Sequence, residues 1–158
     1  MVAFRAFKPL HVALLAAVLP AMTAAPAAAP SPADIVAARQ AGFKKMGGAM
    51  KALSEQLKSG APVKATMVAA AQTIAATGKE QAKLFPAGTG ASAGVKNDAL
   101  PAIWSDRATF DGQMQKMILE SAKLVTVAGG GDAAAIGAQF KATGATCGAC
   151  HRQFRAED

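Results

Sequence analysis

The chain of 158 residues lacks tyrosine and is poor in other aromatic residues, with one tryptophan, two cysteines and two histidines. Charged residues make up only 17% of the chain and hydrophobic residues 52%, a composition that argues against intrinsic disorder. Two cysteines three positions apart argue against a disulfide-stapled scaffold. Much of the apolar content is alanine, which favours helices over strands. Length and composition therefore predict one all-helical domain.

The first 29 residues have the organisation of a cleaved export signal. Arg5 and Lys8 precede an apolar stretch of ten residues from Leu10 to Leu19, which an alanine-rich, proline-broken segment follows. Ten apolar residues are too few to span a bilayer, and an uncleaved amphipathic anchor is the alternative. We therefore expect a signal peptide over 1–29, a functional domain over 30–158 and a periplasmic, oxidising location, with no membrane contact after cleavage.

The net charge is smaller in the expected mature chain than in the whole sequence. The full sequence has 17 basic and 10 acidic residues, and removal of 1–29 takes away two basic residues and no acid, which leaves a formal charge of +5. No basic run reaches five residues, and few aromatic residues are present to stack on bases. Nucleic acid is therefore not an expected partner, whereas acidic redox proteins are.

Four amphipathic segments organise the rest of the chain, with apolar residues recurring every three or four positions. The positions predicted to be buried include Ile35 in the first segment, Val63 in the second, and Ile103, Phe110, Met114, Met117, Ser121 and Leu124 in the third. Both cysteines share the apolar face of the last segment. The longest non-helical stretch, from Phe85 to Leu100, is a connection rather than a domain boundary. The pattern predicts an all-α, antiparallel up-down-up-down four-helix bundle. The predicted helices begin near Pro32, Pro62, Pro101 and Asp132 and end near Ser59, Pro86, Gly129–Gly131 and Phe154.

The sequence Cys147-Gly148-Ala149-Cys150-His151 carries the chemistry. A C-x-x-C pair followed at once by histidine is the attachment motif for a covalently bound c-type haem, here one per chain. Cysteines at i and i+3 share a helix face and can each form a thioether with one vinyl group, and His151 can coordinate the iron. The alternatives are a thioredoxin-type redox pair, a zinc site short of ligands and a disulfide strained within a helix.

With this motif near the end of a four-helix bundle, the sequence resembles the class II cytochromes c, and cytochrome c' most closely, from about Asp34 to Arg155. The resemblance implies a four-helix haem domain in which Cys147 and Cys150 hold the haem and His151 is the proximal ligand. The segments that carry it, besides the haem motif, are Arg39-Gln40, Leu84 to Gly90, Pro101 to Asp106 and His151 to Arg155.

The resemblance also implies roles for several other residues around the haem. Arg39 and Gln40 match positions that meet the haem propionates, and the alternative for Arg39 is a solvent-facing side chain. Arg155 matches a basic residue on the proximal side that affects nitric oxide binding, and its alternative is a cation at the helix C-terminus. Trp104 packs either on the haem edge or in the core as an anchor for the third helix.

Phe43 is expected to decide the coordination of the iron, because in this family the residue four after the matched arginine faces the sixth position. Phenylalanine has no lone pair to donate, whereas the six-coordinate cytochromes c556 place methionine there. Met46 or Met50 could serve as a shifted ligand, and core packing is the alternative for both.

These expectations leave three functions open. The first is a five-coordinate haem protein that binds small diatomic gases such as nitric oxide and carbon monoxide, and the second is an electron carrier. The third is a thiol redox module without haem. We do not expect an enzyme, because the expected mature chain has no second histidine and no paired carboxylates near the motif. A homodimer through the first two helices is implied by the resemblance.

Overall fold

The computed structural model of the protein describes residues 29–157, so the predicted signal peptide lies outside the described residues apart from Ala29. The described part is helical and contains no strand, only an isolated antiparallel bridge between Ala99 and Arg155. A single 3₁₀ turn, Ala91–Ala93, lies between the second and third helices. The helices are α1 (Pro32–Lys58), α2 (Lys64–Gln81), the short α3 (Ala102–Ser105), α4 (Arg107–Gly130) and α5 (Ala133–Phe154).

The four long helices form a bundle, as the sequence pattern predicts. Helix α1 packs along α2, α2 packs along α4, and α4 packs along α5. The connections between α1 and α2 and between α4 and α5 are short, so each of these pairs must be antiparallel. Helices α1 and α5 make only a few contacts with each other, which leaves a space between them on one side of the bundle. None of the described helices is both long enough and apolar enough to cross a membrane.

Local sequence explains where the first and last long helices begin. Ser31 caps α1, where its hydroxyl accepts from the Asp34 backbone N–H at 3.2 Å and the Asp34 carboxylate accepts from the Ser31 N–H at 3.0 Å. Asp132 caps α5 and accepts from the backbone N–H groups of Ala134 and Ala135. Gly131 precedes it with φ of 83°, a left-handed conformation that glycine adopts without strain.

Two of the four predicted helices differ from those in the structure. Helix α2 is shorter than expected at both ends, and the third predicted helix is divided at Asp106, whose backbone leaves the helical region with φ of −121° and ψ of 56°. Aspartate is a weak helix former because its short polar side chain competes for backbone groups. The division turns α3 toward the preceding connection, where the Trp104 indole N–H donates to the Pro86 carbonyl oxygen at 3.0 Å.

The core follows the predicted apolar stripes with small shifts. All the predicted stripe positions of α3 and α4 are buried, including Met114 and Met117. In the first turn of α1, Val36 is buried and the predicted Ile35 is only half-buried. Val63 was predicted to be buried at the start of α2 and is instead 52% exposed, because α2 begins after it. Periodicity therefore located the core faces well and the helix ends less well.

Residues 84–100, the strap, connect α2 to α3 and pack across one end of the bundle. Trp104 packs directly on the strap at Gly90, where a Cβ atom would lie 2.8 Å from Trp104 Cζ3. The Arg107 guanidinium adds a hydrogen bond from Nη1 to the Phe85 carbonyl oxygen at 2.9 Å. The strap is therefore fixed to α3 and α4 by side chains rather than by regular backbone pairing.

Replacement of Gly90 tests this packing. We expect Gly90→Ala to lower the free energy of unfolding by about 1–3 kcal/mol, because the added methyl group meets a rigid indole ring. Gly112→Ala is the matched control, since Gly112 lies exposed in α4 with open space around it, and it should stabilise by about 0.5–1 kcal/mol. Urea unfolding of both variants checks this, and equal effects of the two substitutions would contradict the packing.

Candidate functional site

A cavity of about 730 Å³ occupies the space between α1 and α5. Helix α4 and the strap complete its wall, and its volume lies within the range of about 300–1,000 Å³ that is common for small-molecule and cofactor sites. Most of the lining is apolar. The lining includes seven of the eight sequence-predicted site residues, namely Arg39, Gln40, Phe43, Cys147, Cys150, His151 and Arg155.

The two cysteines project from the last third of α5 into this cavity as free, half-buried thiols. Burial raises the pKa of Cys147, and burial together with Cys147 raises the pKa of Cys150 to about 11. Both thiols are therefore protonated at neutral pH, whereas a thioredoxin-type pair has a thiol of lowered pKa at a helix N-terminus. Within residues 29–157, no cluster of three histidine, cysteine or acidic side chains is arranged to hold a metal ion.

His151 follows Cys150 in the last turn of α5 and reaches the rim of the cavity. Desolvation lowers the pKa of its imidazole, and the positive charge of Arg155 lowers it further. Both effects favour the neutral ring, which is the form that binds metal ions. Arg155 lines the cavity as well, and its Nε atom lies 3.6 Å from the Asp98 carboxylate of the strap.

Arg39 is a buried cation at the opposite wall, with only 3% of its surface exposed. It donates through Nη1 to the Leu84 carbonyl (3.2 Å) and the Thr89 hydroxyl (3.2 Å). Through Nη2 it donates to the Thr89 carbonyl (2.9 Å) and the Asn97 side-chain oxygen (3.3 Å). Its guanidinium carbon also lies 4.5 Å from the centroid of the Phe85 ring. Because Arg39 is buried, the alternative of a solvent-facing arginine is wrong. All four acceptors are neutral, so the cation would gain from an anion in the cavity.

The α1 wall of the cavity is apolar inside and polar at its rim. Phe43, Met46 and Met50 face inward, whereas Gln40 and Lys44 lie at the exposed edge, where Gln40 Nε2 donates to the Lys96 carbonyl at 3.0 Å. The Phe43 and Phe85 ring centroids are 6.4 Å apart. Apart from Arg39, whose guanidinium donates to the strap residues, this wall therefore presents carbon and thioether groups to the interior.

The two methionines of α1 are engaged in packing. Met46 belongs to the hydrophobic core cluster, and the partly buried Met50 packs against that cluster. Met46 is also 5% exposed, within the core. These contacts favour core packing over a ligand role for both side chains.

Trp104 is the predicted site residue that the structure places elsewhere. It does not line the cavity and instead anchors the strap through Pro86 and Gly90. Sequence reasoning in turn missed three strap residues that contact the site, Thr89, Asn97 and Asp98. Their signal was weak, because short polar residues in a glycine-rich connection are equally typical of ordinary turns.

The donor set fits a haem. A flat, apolar macrocycle suits the apolar walls, two thiols lie on one helix face beside a neutral imidazole, and an anionic edge would meet the Arg39 cation. The sequence model of the family described as Cytochrome C' matches residues 34–155, most of the chain. The chain belongs to the cytochrome c' family. It is accordingly a c-type haem protein, and the four-helix architecture predicted from the sequence is confirmed.

Curated relatives agree with the family assignment. Cytochrome c' from Rhodospirillum rubrum is 34% identical over 144 residues, which cover 91% of this chain and 97% of the relative. A cytochrome c-556 from Agrobacterium tumefaciens is 33% identical over 117 residues, covering 74% and 93% respectively. The relative named cytochrome c' and the relative named cytochrome c-556 therefore have similar sequence identity to this chain.

Solved structures have the same fold. Cytochrome c' from Thermochromatium tepidum superposes with a TM-score of 0.78 at 27% identity, covering 82% of this chain and all of that one. A cytochrome c' described by its unusual ligand-controlled dimer dissociation gives 0.77 at 28% identity with the same coverage. A nitric oxide complex of a cytochrome c' variant from Alcaligenes xylosoxidans gives 0.73 at 29% identity, covering 81% and 98%.

Removal of the buried cation tests its structural contribution to the site. We expect Arg39→Met to lower the free energy of unfolding by about 2 kcal/mol or more, because the buried acceptors of Thr89 lose their donors. Lys45→Met removes an exposed positive charge from the same helix and should change stability by less than about 0.5 kcal/mol. Urea unfolding of the haem-loaded proteins gives both values, and equal losses would contradict the account.

Proposed function

We propose that this protein is an exported, periplasmic haem protein that binds small diatomic gases such as nitric oxide or carbon monoxide at a five-coordinate iron. Cys147 and Cys150 would hold the haem, and His151 would be its protein ligand. Bound in this way, the group supplies an iron centre with one open coordination position. The observation that supports the proposal is that Phe43, which has no lone pair to donate, lines the α1 wall of the cavity that His151 also lines.

The residues on the two sides of the cavity have different roles. On the α5 side, two tethers and a neutral imidazole would fix the plane of the cofactor relative to the helix. On the α1 side, Phe43 would exclude water and large molecules while leaving room for a diatomic ligand when its ring moves. Because Phe43, Met46 and Met50 provide no hydrogen-bond donor and Arg39 already donates to the strap, dioxygen, which gains from a hydrogen bond, would be disfavoured relative to nitric oxide and carbon monoxide.

Arg39 and Gln40 would bind near the propionate edge of the haem. Arg39 is already held by four hydrogen bonds to neutral groups, so its position does not depend on the cofactor. A propionate beside it would supply the missing negative charge without requiring the side chain to rearrange. Arg155, on the other side of the cavity, would place a second positive charge near His151.

Electron transfer is the second candidate function. It is favoured by the similarity to a cytochrome c-556 and by the positive net charge of the chain, which would attract acidic redox partners. A six-coordinate His/Met iron would require Met46 or Met50 to leave its packing position. A five-coordinate haem can also exchange electrons, so this role is compatible with gas binding. We propose binding and electron exchange rather than catalytic turnover.

A homodimer through α1 and α2 is part of the proposal. Both helices expose small residues on their outer faces, including Ala38 and Ala41 on α1 and Ala65 and Ala69 on α2. Small residues allow two helix pairs to approach closely. The solved relative described by ligand-controlled dimer dissociation supports an association of this kind.

Replacement of Phe43 tests the gas-binding proposal. We expect Phe43→Ala to speed carbon monoxide binding to the ferrous protein by about tenfold, because the ligand no longer has to displace the phenyl ring. A tenfold change in rate corresponds to about 1.4 kcal/mol in the activation barrier. Flash photolysis measures the rate. Phe140→Ala is the control for general loosening, since Phe140 is a partly buried α5 residue outside the cavity lining, and its rate should stay unchanged. An unchanged rate in Phe43→Ala would show that a group other than Phe43 controls the access of carbon monoxide to the iron.

A further inference from the structure

The side chain of Asn97 lies at the centre of the strap and uses both ends of its amide. Its oxygen accepts from Arg39 Nη2 at 3.3 Å and from the Ala99 backbone N–H at 3.2 Å. Its nitrogen donates to the carbonyl oxygens of Gly90 at 3.1 Å and Val95 at 3.0 Å. One half-buried side chain therefore connects α1, the 3₁₀ turn and the end of the strap.

The end of the strap is in turn bonded to the segment that follows His151. The Leu100 N–H donates to the Phe154 carbonyl at 3.0 Å, and the Ala156 N–H donates to the Asp98 carbonyl at 2.8 Å. The Asp98 carboxylate pairs with Arg155. Phe154 is the last residue of α5, one turn after His151. The strap thus contacts one wall of the cavity through Arg39 and the opposite wall through residues 154–156.

We propose that Asn97 is a positioning residue of the haem site, which holds the Arg39 guanidinium and the C-terminal segment after His151 in a fixed relation. The two walls of the cavity, α1 and the end of α5, have little direct contact with each other. Asn97 bonds to Arg39 directly and, through Ala99, fixes the residues that pair with 154–156. The position of the haem in this argument rests on the proposed function, whereas the hydrogen bonds do not.

The chemistry of the position requires asparagine. Two acceptor bonds and two donor bonds of short reach are used, and only a primary amide offers both. Aspartate has the same shape and keeps the two acceptor bonds but loses both donors. Alanine loses all four. The pair of variants therefore separates the bonds toward Arg39 and Ala99 from those toward Gly90 and Val95.

The test combines amide hydrogen exchange with the reduction potential of the haem-loaded protein. In Asn97→Ala, exchange at the Leu100 and Ala156 amides should rise by about tenfold or more, the factor that loss of one hydrogen bond brings to a local opening. The potential should fall, because Arg39 loses one of its four acceptors and a cation held less firmly near the haem stabilises the reduced state less. Ser92→Ala, an exposed substitution in the same strap, should change neither.

Asn97→Asp keeps the proposal testable if the alanine variant fails to fold. In Asn97→Asp, the amides of Leu100 and Ala156 should exchange at the same rate as in the unmodified protein, whereas the Ala93 amide in the 3₁₀ turn should exchange faster. The reduction potential should fall, because a negative charge now lies beside Arg39. The proposal would be overturned if the amides of Leu100 and Ala156 exchanged at the same rate in Asn97→Ala as in Ser92→Ala. It would also be overturned if exchange rose in Asn97→Ala while the reduction potential stayed unchanged, because that result indicates a merely structural role. Failure of the proposed function can be told apart from failure of the Asn97 proposal, because it would appear in the unmodified protein as an absence of gas binding.

Discussion

The haem cavity depends on a buried guanidinium that is satisfied entirely by neutral acceptors. Arg39 comes from α1, but its partners come from the strap, about 45 to 58 residues further along the chain. Burying this charge without those bonds would be costly, so the strap must close over α1 whenever the bundle is folded. The same bonds leave the cation without a carboxylate partner among its four acceptors, which suits the wall to the acidic edge of a haem. The bonds that join the strap to α1 therefore also position the cation of the site.

The strap also explains how a bundle with little contact between α1 and α5 maintains an ordered cavity between them. Regular helix packing fixes α1 to α2, α2 to α4 and α4 to α5, and none of these contacts closes the gap. Hydrogen bonds of Asn97 on one side and of residues 98–100 on the other do so without filling the space. A cavity of this kind can accept a rigid cofactor without loss of the core, because its walls are held by the strap and not by each other.

The helices and the haem motif could be predicted from the sequence because both depend on short-range spacing. Period 3.6 placed Met114, Met117 and Leu124 in the core, and the C-x-x-C-H spacing placed two thiols on one face of α5. The strap could not be predicted, since the partners of Arg39 lie 45 to 58 residues further along the chain and no periodic pattern indicates them. Trp104 illustrates the same limit, because a lone tryptophan carries no information about which side of the helix its ring will pack on.

The absence of a second protein ligand is the claim that matters most for function. Phe43 has no lone pair, Met46 belongs to the hydrophobic core, and Met50 packs against that core. The most direct test is the optical and electron paramagnetic resonance spectrum of the ferric, haem-loaded protein at neutral pH. The account predicts a high-spin, five-coordinate iron with histidine ligation and no band from methionine coordination. A fully low-spin, six-coordinate spectrum would contradict it.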